Sequence, residues 1–116
     1  MSVTIVRPGD RALEPVREGN PILLQVVADG VDGNPYVHLT EVPAGHHIAA
    51  HSHSEDEVTV ILAGTAVVDG VECGPGTLLV IPAHQPYAID VGDTPLTFAV
   101  IRPRRADYSG PQGPGR

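Results

Sequence analysis

Three side chains near the middle of the chain can each donate a lone pair to a metal ion: His51, His53 and Glu57. Successive side chains of a strand point to opposite faces, so His51 and His53 lie on one face and their ring nitrogens can converge. A turn in the polar run 54–56 can fold Glu57 back beside them. Two imidazoles and a carboxylate suit a divalent transition metal, namely Fe, Mn, Ni, Cu or Zn, and three protein ligands leave positions open for water or substrate.

The element that follows must hold this cluster in place. Residues 58–63 form a continuous apolar run rich in β-branched side chains, which predicts a buried strand, and Gly64 ends it. The alternative interpretation is a solvated polar turn between strands, which requires both imidazoles to face outward. Because the alternation of His51 and His53 adjoins a buried strand, we favour the metal site.

The spacing of these residues resembles the first motif of the cupin family. Gly45, His51, His53, Glu57 and Gly64 stand at its five fixed positions. The resemblance implies an all-β fold, a single-domain cupin or jelly-roll-type antiparallel β-barrel, with a metal inside. It also implies a homodimer formed through edge strands. The family spans dioxygenases, isomerases, epimerases, decarboxylases, lyases, cyclases and non-catalytic proteins, so the chemistry has to come from the site.

The second cupin motif is matched only in part. Gly76 and Pro82 agree with it, whereas His84 replaces a glycine, Tyr87 replaces the metal-binding histidine and Val91 replaces an asparagine. Tyr87 can bind the metal as a phenolate, donate a proton or hydrogen bond above it, or simply fill the barrel; His84 can instead take the ligand role. We favour the donor role for Tyr87, with His84 lining the pocket, because an unperturbed phenol titrates at about 10.

A further histidine lies in a strand predicted over residues 36–42, whose side chains alternate between two faces. Glu41 interrupts the apolar residues of one face. We therefore favour the interpretation that the other face, which carries His38, lines the pocket; the alternative is that it lies on the outside of the barrel. Tyr87, together with His84 or His38, would supply or remove a proton during catalysis.

The composition sets the domain organisation. A chain of 116 residues is long enough for one core but not two, and its 12 Pro and 13 Gly favour short strands joined by turns. We predict a barrel domain over residues 1–103, including an N-terminal strand at residues 3–6. Residues 104–116 are too poor in apolar side chains to bury themselves, which predicts a flexible C-terminal tail.

The charge distribution limits the partners. A net charge of −7 argues against nucleic acid and anionic membranes, which need clustered Lys and Arg. The chain has no lysine, and residues 18–101 contain no arginine. An anionic substrate would therefore have only the metal, a protonated histidine or an arginine from one of the chain ends to neutralise it. We expect a small-molecule substrate that is neutral or chelates the metal.

Cysteine content and hydropathy favour one cellular compartment over others. Cys73 is the only cysteine, which excludes an internal disulfide, and its neighbours offer no group to activate the thiol. The sequence shows neither a secretory signal nor a long apolar span. These features predict a soluble, cytoplasmic protein.

Together, these residues predict a metal-dependent enzyme. The metal would bind an oxygen of the substrate and either activate dioxygen, as a dioxygenase does, or assist proton transfer or elimination, as in an isomerase, cyclase or lyase. The alternative is a binding module that holds a metal or small ligand without converting it. The loss of the second-motif histidine at Tyr87 favours that alternative.

Overall fold

The computed structural model describes residues 2–111, which form a nearly all-β protein. A 3₁₀ helix at Pro8–Asp10 precedes the strands. The strands are β1 (Glu14–Pro15), β2 (Leu23–Asp29), β3 (Tyr36–Val42), β4 (His47–His53), β5 (Glu57–Ala63), β6 (Ala66–Val68), β7 (Val71–Cys73), β8 (Leu78–Ile81), β9 (Tyr87–Val91), β10 (Leu96–Arg102) and β11 (Tyr108–Ser109). Within residues 2–111, no helix is long and apolar enough to cross a membrane.

The strands form two antiparallel sheets. One has the order β1-β2-β3-β10-β5-β8 and the other the order β11-β4-β9-β6-β7. The two sheets enclose one apolar core, which confirms the all-β jelly-roll architecture predicted from the sequence. The core residues are Val42, Ile61, Ala66, Cys73, Ile89, Val91, Leu96, Phe98 and Val100.

Strand β5 shows why the apolar run forms a half-buried strand that reaches the site. Its inward side chains are Glu57, Thr59 and Ile61, all buried, whereas Val58 and Leu62 face outward. The alternation follows from the pleat of a strand, in which neighbouring side chains point to opposite faces. Glu57 is therefore placed in the barrel interior by its register within β5.

Gly64 ends β5 for a steric reason. Its φ is +80°, and a Cβ atom there would collide with the carbonyl oxygen of Pro95. Glycine has no Cβ and adopts this left-handed conformation at little cost. The final glycine of the first-motif spacing thus serves the close approach of two turns.

The N-terminal strand predicted at residues 3–6 is wrong, since these residues form no strand in the structure. Val3 is 83% exposed and Ile5 is 71% exposed, so these two apolar side chains do not pack on the barrel. Strand propensity alone does not supply an edge with which to pair, and β1 already occupies the edge beside β2.

The flexible tail predicted at residues 104–116 is wrong for its first half. Tyr108 and Ser109 form β11 and pair with β4 opposite His53 and Ser52, and Ala106 is buried. Backbone bonds to β4, together with the burial of Ala106, hold this segment. Residues 112–116 lie outside the described residues.

Candidate functional site

A cavity of about 140 Å³ lies inside the barrel, and its wall combines apolar side chains with one cluster of polar ones. Ile22, Leu24, Ile48, Ile89, Phe98 and Val100 supply apolar wall. The polar cluster consists of His38, Thr40, His51, His53, Glu57, Tyr87, Arg102 and Tyr108, and four further polar residues, Arg17, Asn20, His46 and His47, also line the wall. A largely apolar pocket with a few convergent polar groups is the usual form of a small-molecule site.

Strand β4 brings the two imidazoles of the first motif together. His51 and His53 are both buried, and their ring centroids are 5.1 Å apart with the planes nearly perpendicular, at 85°. Nδ1 of His51 lies 2.9 Å from the carbonyl oxygen of Ala49. Because a carbonyl only accepts, Nδ1 carries the proton and Nε2 keeps a lone pair.

Both imidazoles are neutral at neutral pH. Burial lowers the pKa of His51, and burial together with the charge of Arg102 lowers the pKa of His53 to about 4. Nδ1 of His53 is buried and has no hydrogen-bond partner among residues 2–111. Two unprotonated imidazoles can therefore donate lone pairs to a metal, or accept a proton, inside the cavity.

The carboxylate of Glu57 has partners on both oxygens. Oε1 accepts hydrogen bonds from Nε and Nη2 of Arg102 at 3.0 and 2.8 Å. Oε2 accepts from the hydroxyl of Thr59 at 2.6 Å. Burial opposes ionisation of Glu57, but the charge of Arg102 and the bond from Thr59 outweigh it, so the pKa of Glu57 lies below its ordinary value.

Tyr87 points from β9 toward the same carboxylate. Its hydroxyl donates to Oε2 of Glu57 at 3.3 Å, and its ring centroid lies 4.5 Å from that of His51. Burial and the negative charge of Glu57 raise the pKa of Tyr87, so the phenol stays protonated at neutral pH. In the protein alone, Tyr87 is a hydrogen-bond donor inside the cavity.

The structure separates the two other histidines predicted to take part. His38 is buried in β3, lines the cavity, and has Nδ1 3.0 Å from the hydroxyl of Tyr36. His84 is exposed and is not among the residues of the cavity wall. Its backbone N–H donates to the carbonyl of His53 at 2.7 Å, so its contribution is to hold β4 rather than to line the pocket.

Two side chains that contact the cluster of His51, His53 and Glu57 were not identified as site residues from the sequence. Arg102 is 3% exposed and extends the inward alternation of Phe98 and Val100 in β10, a signal that was available. Tyr108 stacks on His51, with centroids 5.4 Å apart and planes at 22°, and lies 5.6 Å from His53. No local sequence pattern predicts the position of Tyr108, because only the pairing of its segment with β4 brings it to the cavity.

A divalent metal would find two available donors here rather than three. Among residues 2–111, no three His, Cys, Asp or Glu side chains are arranged to hold one ion. Nε2 of His51 and the unpaired Nδ1 of His53 suit a borderline cation. Glu57 does not fit as a third ligand while Arg102 and Thr59 occupy its oxygens.

Comparison with protein-family profiles gives no match, and comparison with curated proteins gives none. Solved structures do match. An RmlC-like cupin protein from Ralstonia eutropha JMP134 superposes with a TM-score of 0.78 at 12% identity, covering 97% of this chain and 75% of that one. A putative acetylacetone dioxygenase from Methylibium petroleiphilum PM1 gives 0.76 at 14% identity, covering 100% and 88%. The polyketide cyclase RemF from Streptomyces resistomycificus gives 0.69 at 21% identity, covering 90% and 82%.

Proposed function

Because the chain has the cupin fold, as its first-motif spacing predicted, we propose that it is a small-molecule enzyme that depends on a divalent transition metal. One observation carries the proposal: two neutral imidazoles, a protonated phenol and a carboxylate converge in one largely apolar cavity. Shifted pKa values that come from burial and specific charge partners are typical of active sites.

His51 and His53 are the proposed ligands of the metal. Glu57 would join them only if its pair with Arg102 opened, and Tyr87 is the remaining candidate on the cavity wall. The metal would be Fe, Mn, Ni, Cu or Zn, since imidazole nitrogen suits all of these. When bound, it would polarise a carbonyl, enol or carboxylate oxygen of the substrate or, if redox-active, support dioxygen chemistry.

The residues of the chain would handle protons and exclude water. Tyr87 holds a proton at Oη, directed toward Glu57, and can donate it to a substrate oxygen that replaces this partner. Tyr108 packs over the imidazoles and separates them from solvent. Structural neighbours that include a putative dioxygenase and a polyketide cyclase support either dioxygenase chemistry or proton transfer of the isomerase, cyclase or lyase type.

Metal analysis and one tyrosine variant test this function. We expect protein purified without chelator or histidine tag to hold a transition metal, and His51→Ala with His53→Ala to lose it. Tyr87→Phe should keep the metal and lose turnover, whereas Tyr108→Phe, the matched change on the other tyrosine of the wall, should keep both. Loss of metal in Tyr87→Phe would instead mean ligation. Absence of any transition metal in the wild type would contradict the proposal.

A non-catalytic binding module is the second candidate. The engagement of Glu57 by Arg102 favours it, because it removes the third donor of the expected metal set. This candidate predicts saturable binding of metal or ligand without oxygen uptake or product formation. Product formed by wild-type protein and lost in Tyr87→Phe would exclude it.

A homodimer is also proposed, and the outer face of the six-stranded sheet supports it. Leu78 and Val80 of the edge strand β8 are 65% and 77% exposed, and Val58 lies opposite Val80 in register. An apolar patch at a sheet edge is a common pairing surface. Light scattering should give twice the monomer mass, and Val80→Lys should give a monomer; a monomeric wild type would contradict this.

A further inference from the structure

The cavity wall of this acidic protein includes permanent cations. The chain carries a net charge of −7, yet two guanidinium groups, of Arg17 and Arg102, and a single carboxylate, of Glu57, line the cavity. Arg17 is exposed at the mouth, whereas Arg102 is 3% exposed in the interior. The interior therefore contains a permanent cation, contributed by an arginine near the C-terminal end of the chain.

The guanidinium of Arg102 bonds to only one of the two oxygens of the Glu57 carboxylate. A guanidinium and a carboxylate can pair through two parallel bonds to two oxygens. Here Nε and Nη2 both bond to Oε1 of Glu57, while Oε2 is turned toward Thr59 and Tyr87. Nη1 takes no part in the pair. A second acid group could therefore approach the guanidinium without displacing Glu57 completely.

Two further polar groups on the same wall lack partners. Thr40 and His53 line the cavity, and Oγ1 of Thr40 and Nδ1 of His53 are buried with no hydrogen-bond partner within residues 2–111. Both residues are more than nine-tenths buried. Buried polar atoms in native proteins are normally hydrogen-bonded. Nδ1 of His53 is already proposed to bind the metal, so Oγ1 of Thr40 is the atom that calls for a polar group of the substrate.

The size of the cavity limits that ligand. Cavities of about 150 Å³ accommodate a molecule the size of benzene, and this one measures about 140 Å³. Phe98, Ile48 and Ile89 offer contacts to an apolar body. A ligand that satisfies the wall would be small, with an apolar body and an acidic head.

We propose that the substrate is a small organic anion whose carboxylate, or equivalent acid group, pairs with the guanidinium of Arg102. The hydroxyl of Thr40 would donate a hydrogen bond to a polar atom of the anion that the guanidinium does not reach. This inference rests on the proposed function only in taking the same cavity as the substrate site. It replaces the neutral substrate expected from the sequence by an anionic one, because Arg102 provides a charge partner independent of any metal.

The test compares acids with amides of the same shape. Isobutyrate against isobutyramide, and benzoate against benzamide, are titrated into the full chain after chelator treatment, with binding followed by NMR. We expect each acid to bind at least tenfold more tightly than its amide. Equal affinities, or tighter binding of the amides, would overturn the inference.

Variants of the charged residues show which side chain causes the preference for acids over amides. Glu57→Gln removes the competing carboxylate and should tighten acid binding further, while Glu57→Gln with Arg102→Gln should abolish the preference. Arg104→Gln is the matched control, because Arg104 pairs with Glu55 at the surface and does not line the cavity. An acid preference that persists in the double variant would refute the role of Arg102.

The result of the acid-binding test can be distinguished from the result of the metal analysis. Acid preference in protein that binds no metal would support the anion site while contradicting the metal-dependent function. A protein that binds metal and shows no acid preference would overturn the anion site and leave the metal function intact. Preference that appears only after metal is added would place the anion on the metal and also overturn the inference.

Discussion

Two stretches of the chain supply side chains of opposite character to the cavity. One is the first-motif stretch, which comprises β4 and β5, and the other is the C-terminal stretch, Arg102 to Gly110. The former supplies groups that can donate electron pairs, namely His51, His53 and Glu57. The latter supplies the groups that contact them: Arg102 binds Glu57, and Tyr108 stacks on His51.

This difference shows that a motif fixes where side chains lie but not what they are paired with. The spacing in β4 and β5 brings His51, His53 and Glu57 to one cavity. Whether Glu57 can serve as a ligand depends on Arg102, which lies 45 residues away in sequence. The chemistry available to the donor set is thus decided by a residue outside the motif.

The largest expected effect is a loss of stability on removing the cation of Arg102. Arg102→Met leaves the carboxylate of Glu57 buried without its charge partner, since both side chains are 2% exposed. Breaking a buried pair in this way costs about 3–5 kcal/mol of unfolding free energy. Urea denaturation of Arg102→Met and of the surface control Arg104→Met measures it, and the control should change by less than about 1 kcal/mol.

A double variant sharpens this result. Glu57→Gln with Arg102→Met removes both charges, and replacing a buried ion pair by uncharged groups is often close to neutral. We expect most of the stability lost in Arg102→Met to return. If the losses of stability in Glu57→Gln and in Arg102→Met instead add in the double variant, Arg102 stabilises the barrel mainly by packing. The comparison of the two stretches by charge would then be wrong.

The second expected effect is a loss of stability at acid pH from the buried imidazoles. The folded pKa of His53 is about 4, below the value of about 6.5 for an unfolded chain. Between these values the unfolded state binds a proton that the folded state does not. Stability should therefore be complete above about pH 6.5 and fall toward pH 4, by about 1–2 kcal/mol after allowance for solvent screening.

Histidine variants assign this pH dependence. His53→Gln should flatten the curve of unfolding free energy between about pH 6.5 and 5, in chelator-treated protein where no metal competes with protons. His84→Gln, at an exposed histidine, should leave the slope unchanged. An unchanged slope in His53→Gln would mean that His53 is not the buried neutral group described above.

Much of the fold was predictable because its signals are local. The dipeptide Asp69-Gly70 is typical of two-residue hairpin turns, and both residues have the positive φ, 51° and 76°, that such turns require. The apolar run of β5 and the alternation of His51 and His53 were equally readable. These features depend on neighbours within a few residues, which a sequence displays directly.

The rest depended on contacts distant in sequence. The apolar segment of Val3 and Ile5 has strand propensity but pairs with no strand in residues 2–111. The segment of Tyr108 has little apolar content but finds the open edge of β4. Only the position of Arg102 had a local signal, since β10 alternates inward at every second residue up to it.

The smallest expected effect tests whether the C-terminal stretch is fixed on β4. A Cβ atom at Gly110 would lie 2.8 Å from Cβ of His51 and 2.7 Å from the hydroxyl of Tyr108. The hydroxyl can swing away, but Cβ of His51 is held by the strand, so Gly110→Ala must push the segment outward. We expect a loss of about 1 kcal/mol.

Hydrogen exchange gives the decisive measurement for this variant, because the backbone N–H of Ser54 donates to the carbonyl of Asp107 at 3.0 Å. Exchange of that amide should speed up severalfold in Gly110→Ala while the amides of β5 stay protected. Gly9→Ala is the matched control, since a Cβ there meets nothing within 4 Å. Unchanged exchange at Ser54 would mean that the segment accommodates the methyl group in place, and that Tyr108 covers the imidazoles less tightly than their stacking indicates.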